Sequence, residues 1–453
     1  MPSNRKNRVV ITGLGVVSPL GLGITETFDG LVEKRCGIGR IQAFDPSHFT
    51  SQIAGEVRLG SVSDCVPKSY RKAAKVMARD IELAVIAAYH AVKDAGIKTK
   101  CLVDRGEAEG GADIDSTRFG ANIGAGLICA DLTELAGALA SAAERPDAPA
   151  DRGFSLKKWG TEGMSNLTPL WLLKFLPNML ACHVTIVHDC QAPSNTITCG
   201  EASSHLAIGE AYRTIERGAA DICICGGAES KINPMGLLRQ SLLNRLVTDC
   251  NENPTAACRP FDAARKGAVI SEGGGLLILE ELERAKKRGA RIYAELVGFG
   301  AAVNAKNWLE PQADGRAHHL AMSKAIADAG VKAADVGLVN AAGVGTLDHD
   351  ASEAAGIRAT LGNTAATVPV LATKGALGNN GAGSGAIDLA VTIMALHRGI
   401  IPPSFNTDKV DPACGLNVVR GDPTDCRAEV AVSLAGALSG GQTAALVVRR
   451  YHP

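Results

Sequence analysis

Short apolar runs interrupted by glycine alternate along this chain with longer stretches of helical period, a pattern that predicts a mixed α/β fold. Residues 8–21, Arg-Val-Val-Ile-Thr-Gly-Leu-Gly-Val-Val-Ser-Pro-Leu-Gly, read as a buried strand that breaks on its glycines. Residues 74–95 form an amphipathic helix, with Gly96 as its stop. Residues 118–123, 220–229 and 276–280 are expected strands, with Gly124–Gly126 and Gly226–Gly227 read as turns. Two surface insertions are expected, an acidic one at 101–116 and an irregular one at 140–163, which Pro146 and Pro149 punctuate. Residues 282–288 suit a charged helix, and from Arg291 the order of strand, helix and strand starts again without visible residue-level identity.

One stretch carries candidate chemistry. Residues 192–211 read Ala-Pro-Ser-Asn-Thr-Ile-Thr-Cys-Gly-Glu-Ala-Ser-Ser-His-Leu-Ala-Ile-Gly-Glu-Ala. Asn195 to Cys199 alternates as a short strand would, and small and apolar residues from Ala202 suit a closely packed helix. A strand turning sharply into a helix aims free N–H groups at the side chain on the turn, a geometry suited to nucleophiles and oxyanions. Here that side chain is the carboxylate of Glu201.

Composition narrows the class. Lys plus Arg and Asp plus Glu both number 47, so no net field draws the chain to nucleic acid or an anionic membrane. No apolar run approaches bilayer length, and Met1-Pro2-Ser3-Asn4-Arg5-Lys6 leads into a strand without a signal-peptide pattern; a cytoplasmic protein is expected. With 453 residues and 51 glycines, the chain suits a large, turn-rich α/β unit. The 13 cysteines are scattered without Cys-x-x-Cys spacing, so they read as reduced structural thiols, and no metal site is expected. Gly13 and Gly15 lack the third glycine and helix start of a dinucleotide loop, and no cofactor is expected.

The 192–211 block resembles the nucleophile region of the β-ketoacyl-acyl-carrier-protein synthases, the ketosynthase II-like condensing enzymes of fatty-acid and polyketide synthesis. In that family Gly-Pro-Ser leads through a short strand to an active cysteine and a helix containing Ile-Gly. Pro193-Ser194 and Ile208-Gly209 align here without a gap, which puts Glu201 at the nucleophile position and Cys199 two residues early. Further segments extend the likeness: residues 8–21, Cys36-Gly37-Ile38, Leu176-Pro177-Asn178-Met179, Arg259-Pro260-Phe261-Asp262 and Ser271-Glu272-Gly273-Gly274-Gly275. The resemblance implies a thiolase-like αβαβα layered fold of two pseudo-repeated halves, residues 1–290 and 291–453, with insertions near 101–116 and 140–165.

It also implies what the site lacks. The family's Asn-Ala-His-Gly-Thr stands here as Asn340-Ala341-Ala342-Gly343-Val344, and its Thr-Lys-Ser-x-x-Gly-His as Thr373-Lys374-Gly375-Ala376-Leu377-Gly378-Asn379. Both histidine positions, Ala342 and Asn379, have thus lost their imidazoles, and the phenylalanine gate aligns with Ser439. The supporting shell stands as Lys374, Glu272, Thr346, Asp350 and Glu353. A carboxylate cannot form an acyl thioester, and alanine cannot donate to an enolate. Ordinary condensation is therefore not expected. The leading expectation is a non-condensing acyl-carrier-protein (ACP) binder or a partner subunit resembling a chain length factor. The alternatives are a Glu201-dependent decarboxylase or thioester hydrolase, and residual 3-oxoacyl-ACP synthase activity through Cys199.

Glu201 is expected to satisfy the helix N–H groups and plug the oxyanion site, with Lys374 as its possible partner, or else to act as a base or an anionic mimic. His205 is read as packed in its helix. His349 is read as too far from Ala342 to substitute, and His188-Asp189-Cys190 as strand neighbours pointing apart. The expected partners are an ACP and a second chain, as a homodimer or a heterodimer with an active ketosynthase. No basic cluster beyond residues 284–288 is read for ACP docking.

Overall fold

The computed structural model describes residues 6–143, 153–439 and 441–453. Among them runs one long sheet. Its spatial order is Asn417–Val418, Pro369–Leu371, Val336–Asn340, Val430–Gly436, Gln442–Arg450, Ala294–Val303, Val9–Ser18, Glu272–Glu281, Ile222–Ser230, Phe119–Ala125 and Ser194–Ile197. The halves join where Val9, Val10 and Ile11 pair with Leu296, Glu295 and Ala294. Numbering the five main strands of each half in chain order, both halves run 3-2-4-5-1. In each, strands 2, 3 and 4 are mutually parallel and strands 5 and 1 antiparallel. The parallel strands are bridged by helices, as crossover geometry demands.

Helices Ser203–Glu216 and Ser384–Arg398 fill the space between the two half-sheets and touch each other. Ser384–Leu396 is buried on every side, so an amphipathic pattern is absent there: a central layer has no solvent face. Arg79–Ala95 covers the first half from outside, and Arg316–Asp328 with Leu347–Leu361 covers the second. The result is the layered αβαβα arrangement.

Several glycines read as turns lie inside strands instead. Val9–Ser18 runs through Gly13 and Gly15, and Ile222–Ser230 runs through Gly226-Gly227. The reason is a close approach rather than a bend: a Cβ on Gly13 would sit 2.4 Å from the Ala91 carbonyl oxygen, and one on Gly15 would sit 2.0 Å from that of Ala87. The second half repeats this contact, with Gly298 2.2 Å from the Ala325 oxygen and Gly300 2.2 Å from that of Ala321. A residue-level repeat follows, contrary to the sequence reading. Ala87, Ala91, Asp94, Ala95 and Gly96 correspond to Ala321, Ala325, Asp328, Ala329 and Gly330. Even the buttress recurs, since Asp94 accepts the Leu14 N–H at 2.8 Å and Asp328 accepts the Phe299 N–H at 3.0 Å.

Two other expectations change. The 101–116 insertion begins with a helical turn, Lys100–Asp104, which buries Cys101 and Leu102. Of the expected irregular segment, residues 144–152 lie outside the described residues; on either side are the helix Leu132–Ser141 and the short turns Leu156–Lys158 and Trp159–Gly163. Among the described residues no helix is long and apolar enough to cross a membrane.

Candidate active site

The turn at residues 198–202 is built from local hydrogen bonds. Gly200 takes a left-handed conformation at φ 56°, and Ser203 Oγ accepts the Cys199 N–H at 2.7 Å while donating to the Gly200 carbonyl at 2.6 Å. Strand Phe119–Ala125 fits beneath because Gly124 has no side chain; a Cβ there would lie 2.5 Å from the Ser203 carbonyl carbon. The turn therefore presents Glu201 inward, only 5% exposed.

Both carboxylate oxygens of Glu201 are occupied. Oε1 accepts from Lys231 Nζ at 2.6 Å and from Asn379 Nδ2 at 3.0 Å, while Oε2 accepts the Leu438 N–H at 3.0 Å. Burial alone would push this carboxyl up, but Lys231 and the two further donors outweigh it and hold its pKa at about 2. Lys231 is largely enclosed, its side chain 11% exposed, and the charges of Glu201 and Glu229 keep its pKa raised against that enclosure. Glu229 accepts the Ala382 N–H at 2.6 Å, and burial, with Glu201 nearby, raises its pKa. A buried ion pair, Glu201 with Lys231, thus stands at the helix mouth.

Lys374 does not take part. Its ammonium pairs with Asp388, which also accepts from Thr373. The expected Glu201–Lys374 pair is replaced by Glu201–Lys231 because Asp388 lies on the adjoining central helix and captures Lys374 first. Glu272 is elsewhere too, held by Arg79 at 2.6 Å, Ser230 Oγ at 2.8 Å and the Val57 N–H at 3.0 Å. Asn379 is fully engaged, its Oδ1 accepting the Gly381 N–H at 3.1 Å. Ser439 follows Leu438 in the turn above Gly200.

A cavity opens beside this pair, lined by Ala342, Glu353, Leu438, Trp308 and two histidines, His318 and His349. Glu353 accepts the N–H groups of Ala342 at 2.7 Å and Gly343 at 2.9 Å, and burial raises its pKa to about 7. Asp350 binds the Phe261 N–H at 2.8 Å, and burial raises it to about 6. His349, read as out of reach, lines the same cavity as Ala342. Helix Leu347–Leu361 starts between them and turns the chain back, so that Nδ1 faces Asp348 at 2.9 Å and Thr346 at 3.1 Å while Nε2 faces the Leu438 carbonyl at 3.2 Å. Both ring nitrogens of His349 therefore face hydrogen-bond partners within the protein.

Cys199 is half-buried; burial pushes its thiol up, with no neighbouring base to offset it. His205 is fully buried, bonded through Nε2 to Ser433 Oγ at 3.0 Å, and held near pKa 3 by burial. His188 ends helix Met179–His188 rather than lying on a strand; it bonds Thr99 at 2.9 Å, while Asp189 bonds Ser116 at 2.7 Å. The sequence reading missed Lys231, Leu438 and His318. For His318 a signal existed: it shares a helix face with Ala321 and Ala325, the residues that press on the sheet.

Comparison with known proteins places this geometry. Residues 6–285 match the family described as beta-ketoacyl synthase, N-terminal domain, and residues 293–408 its C-terminal domain. This chain belongs to the β-ketoacyl synthase family. It is 33% identical over 452 residues to 3-oxoacyl-[acyl-carrier-protein] synthase 2 of Synechocystis, covering 100% of both chains, and 31% identical to the Vibrio harveyi protein of that name, covering 98% of this chain and 99% of that one. Among solved structures it matches a chain of the ishigamide ketosynthase/chain length factor with TM-score 0.82 and 25% identity, covering 99% of this chain and 100% of that one. It also matches a chain of AntDE:AntF, a type II PKS acyl-carrier protein in complex with its ketosynthase, with TM-score 0.82 and 26% identity over the same shares.

Proposed function

We propose that this ketosynthase-family chain is a non-condensing ACP-binding subunit that works as the chain-length-factor-like partner of a competent ketosynthase. The observation that supports this is the saturated carboxylate of Glu201, whose donors occupy the place where an acyl nucleophile and its oxyanion would need to act. A pKa of about 2 makes Glu201 a poor base near neutrality, which weighs against Glu201-dependent decarboxylation or hydrolysis. The raised pKa of Cys199 weighs against residual condensation.

A partner chain is supported by the sheet's free edge. Strand Ser194–Ile197 ends the sheet, Ser194 and Asn195 on it are exposed, and Leu170, Leu172 and Ile186 are exposed apolar residues on the elements leading to it. ACP docking is supported by a basic surface that the sequence reading overlooked: Lys68, Arg71, Lys72 and Lys75 are all exposed around helix Arg71–Ala74. The test incubates the protein with acyl- and malonyl-ACP, alone and with a ketosynthase bearing intact cysteine and histidines. Intact mass, carbon dioxide release and co-elution are read. Complex formation without acylation of this chain is expected; acylation of Cys199, or turnover abolished by Glu201→Ala, would overturn the proposal.

A further inference from the structure

Among the described residues, the enclosed lysine and arginine side chains have carboxylate partners, with one exception. Lys231 meets Glu201, Lys374 meets Asp388, and Arg265 meets Asp411 at 2.7 Å. Arg245 is 9% exposed, yet no ion pair reaches it among the described residues. Its Nη2 donates to the Leu309 carbonyl, a neutral acceptor, and its Nη1 is shielded from solvent with no hydrogen-bond partner. A guanidinium does not shed its proton, so the charge stays and is costly to leave unanswered.

The backbone keeps that charge in place. Arg245 accepts the Ala268 N–H at 2.8 Å and Leu246 bridges Ala268, so the residue is clamped to a neighbouring segment. Arg245 lines a groove with Asn244, Lys266, Thr346 and Asp348, and the groove shares Leu309 and Glu310 with the cavity beside Ala342. No acid makes direct contact with Arg245: Glu201 and Asp348 act on its charge only from a distance, Asp348 being bonded to His349, and Glu310 is exposed and bonded by Asn307 at 3.3 Å.

We infer that Arg245 is the recognition residue of a small-oxyanion subsite at the mouth of that cavity, filled by a carboxylate or a phosphate ester. Both ligands offer paired oxygens that match the two forward nitrogens of a guanidinium, and both supply the missing negative charge. The Leu309 carbonyl now occupying Nη2 is the group the ligand displaces. A neutral group of the same size gains nothing there, so the subsite selects for charge. This holds whether or not the chain condenses acyl groups, and the two proposals fail independently.

The test is isothermal calorimetry of the full chain with malonate, inorganic phosphate and the uncharged malonamide. Saturable binding of at least one anion is expected, with malonamide silent. Stronger malonate binding identifies a carboxylate ligand, and stronger phosphate binding a phosphate ester. Arg245→Met should weaken that binding by roughly tenfold or more, as loss of a charged bidentate contact does, while Lys332→Met, at an exposed lysine outside the groove, should leave it within about twofold. A readout that needs no variant is phenylglyoxal modification of the wild type, followed by peptide mass mapping. The anion should protect Arg245. No saturable anion binding, unchanged binding by Arg245→Met, or no protection of Arg245 would each overturn the inference.

Discussion

Replacing Lys231 by methionine tests the electrostatic core of the site. In the wild type Glu201 draws on one charged donor at 2.6 Å and two neutral donors at 3.0 Å. The variant removes the charged one and leaves a carboxylate that is 5% exposed. Breaking a buried pair from one side costs about 3–5 kcal/mol. Proton linkage gives a similar figure. Glu201 has a folded pKa of about 2 against a reference of 4.5, and at ~1.4 kcal/mol per unit this is roughly 3 kcal/mol. The sign follows from the depressed folded value: the contribution is complete above pH 4.5 or so and drains away as pH falls toward 2. Urea and thermal unfolding of Lys231→Met, Glu201→Gln and the double variant complete a cycle. The Lys231→Met variant should lose about 3 kcal/mol or more at pH 7 and show no further acid loss from Glu201. The double variant should recover most of it, because removing both charges is close to neutral. A Lys231→Met variant within about 0.5 kcal/mol of wild type, or a strictly additive double variant, refutes the assignment of a coupled buried pair.

Three more outcomes are expected. Glu201→Cys places a thiol beside Lys231 and the Leu438 N–H, so iodoacetamide should label it faster than any native cysteine, yet carbon dioxide release from malonyl-ACP should stay absent because Ala342 and Asn379 carry no imidazole. Asp80 accepts the Ser230 N–H at 3.0 Å, and burial with Glu229 nearby raises its pKa to about 7. A raised carboxyl makes the folded state hold its proton longer, so stability falls as pH climbs from about 4 to 7; Asp80→Asn should abolish that slope and gain on the order of 2–4 kcal/mol at pH 8 in denaturant titrations. Gly15→Ala drives a Cβ to 2.0 Å from a helix carbonyl and should cost about 3 kcal/mol or more in melting and soluble yield. Gly39→Ala, which meets open space, should change both little.

The layered fold was legible because whole motifs carried it, from residues 8–21 to the closing strands. The glycines were misread because a strand glycine that admits a helix backbone looks, along the chain, like a turn glycine. The information lies in Ala87 and Ala91 some seventy residues later. Glu201 was legible from its frame, but its partner was not: Lys231 follows a strand that becomes adjacent only once the sheet is ordered. Lys374 misled for the opposite reason, since Asp388 sits just one central helix away. His349 was dismissed on spacing, although a helix starting between it and Ala342 folds the separation back on itself. Local pattern encodes elements well, while pairing between buried charges is decided by which elements the topology makes neighbours.

The two middle helices come from opposite halves, and the largest apolar core joins Ile208 and Ile215 of one to Ile387, Leu389 and Ile393 of the other. Severed near residue 290, each fragment would therefore carry a naked oily rod that belongs against its counterpart. Co-production, rather than separate expression, is the route by which such pieces could regain solubility.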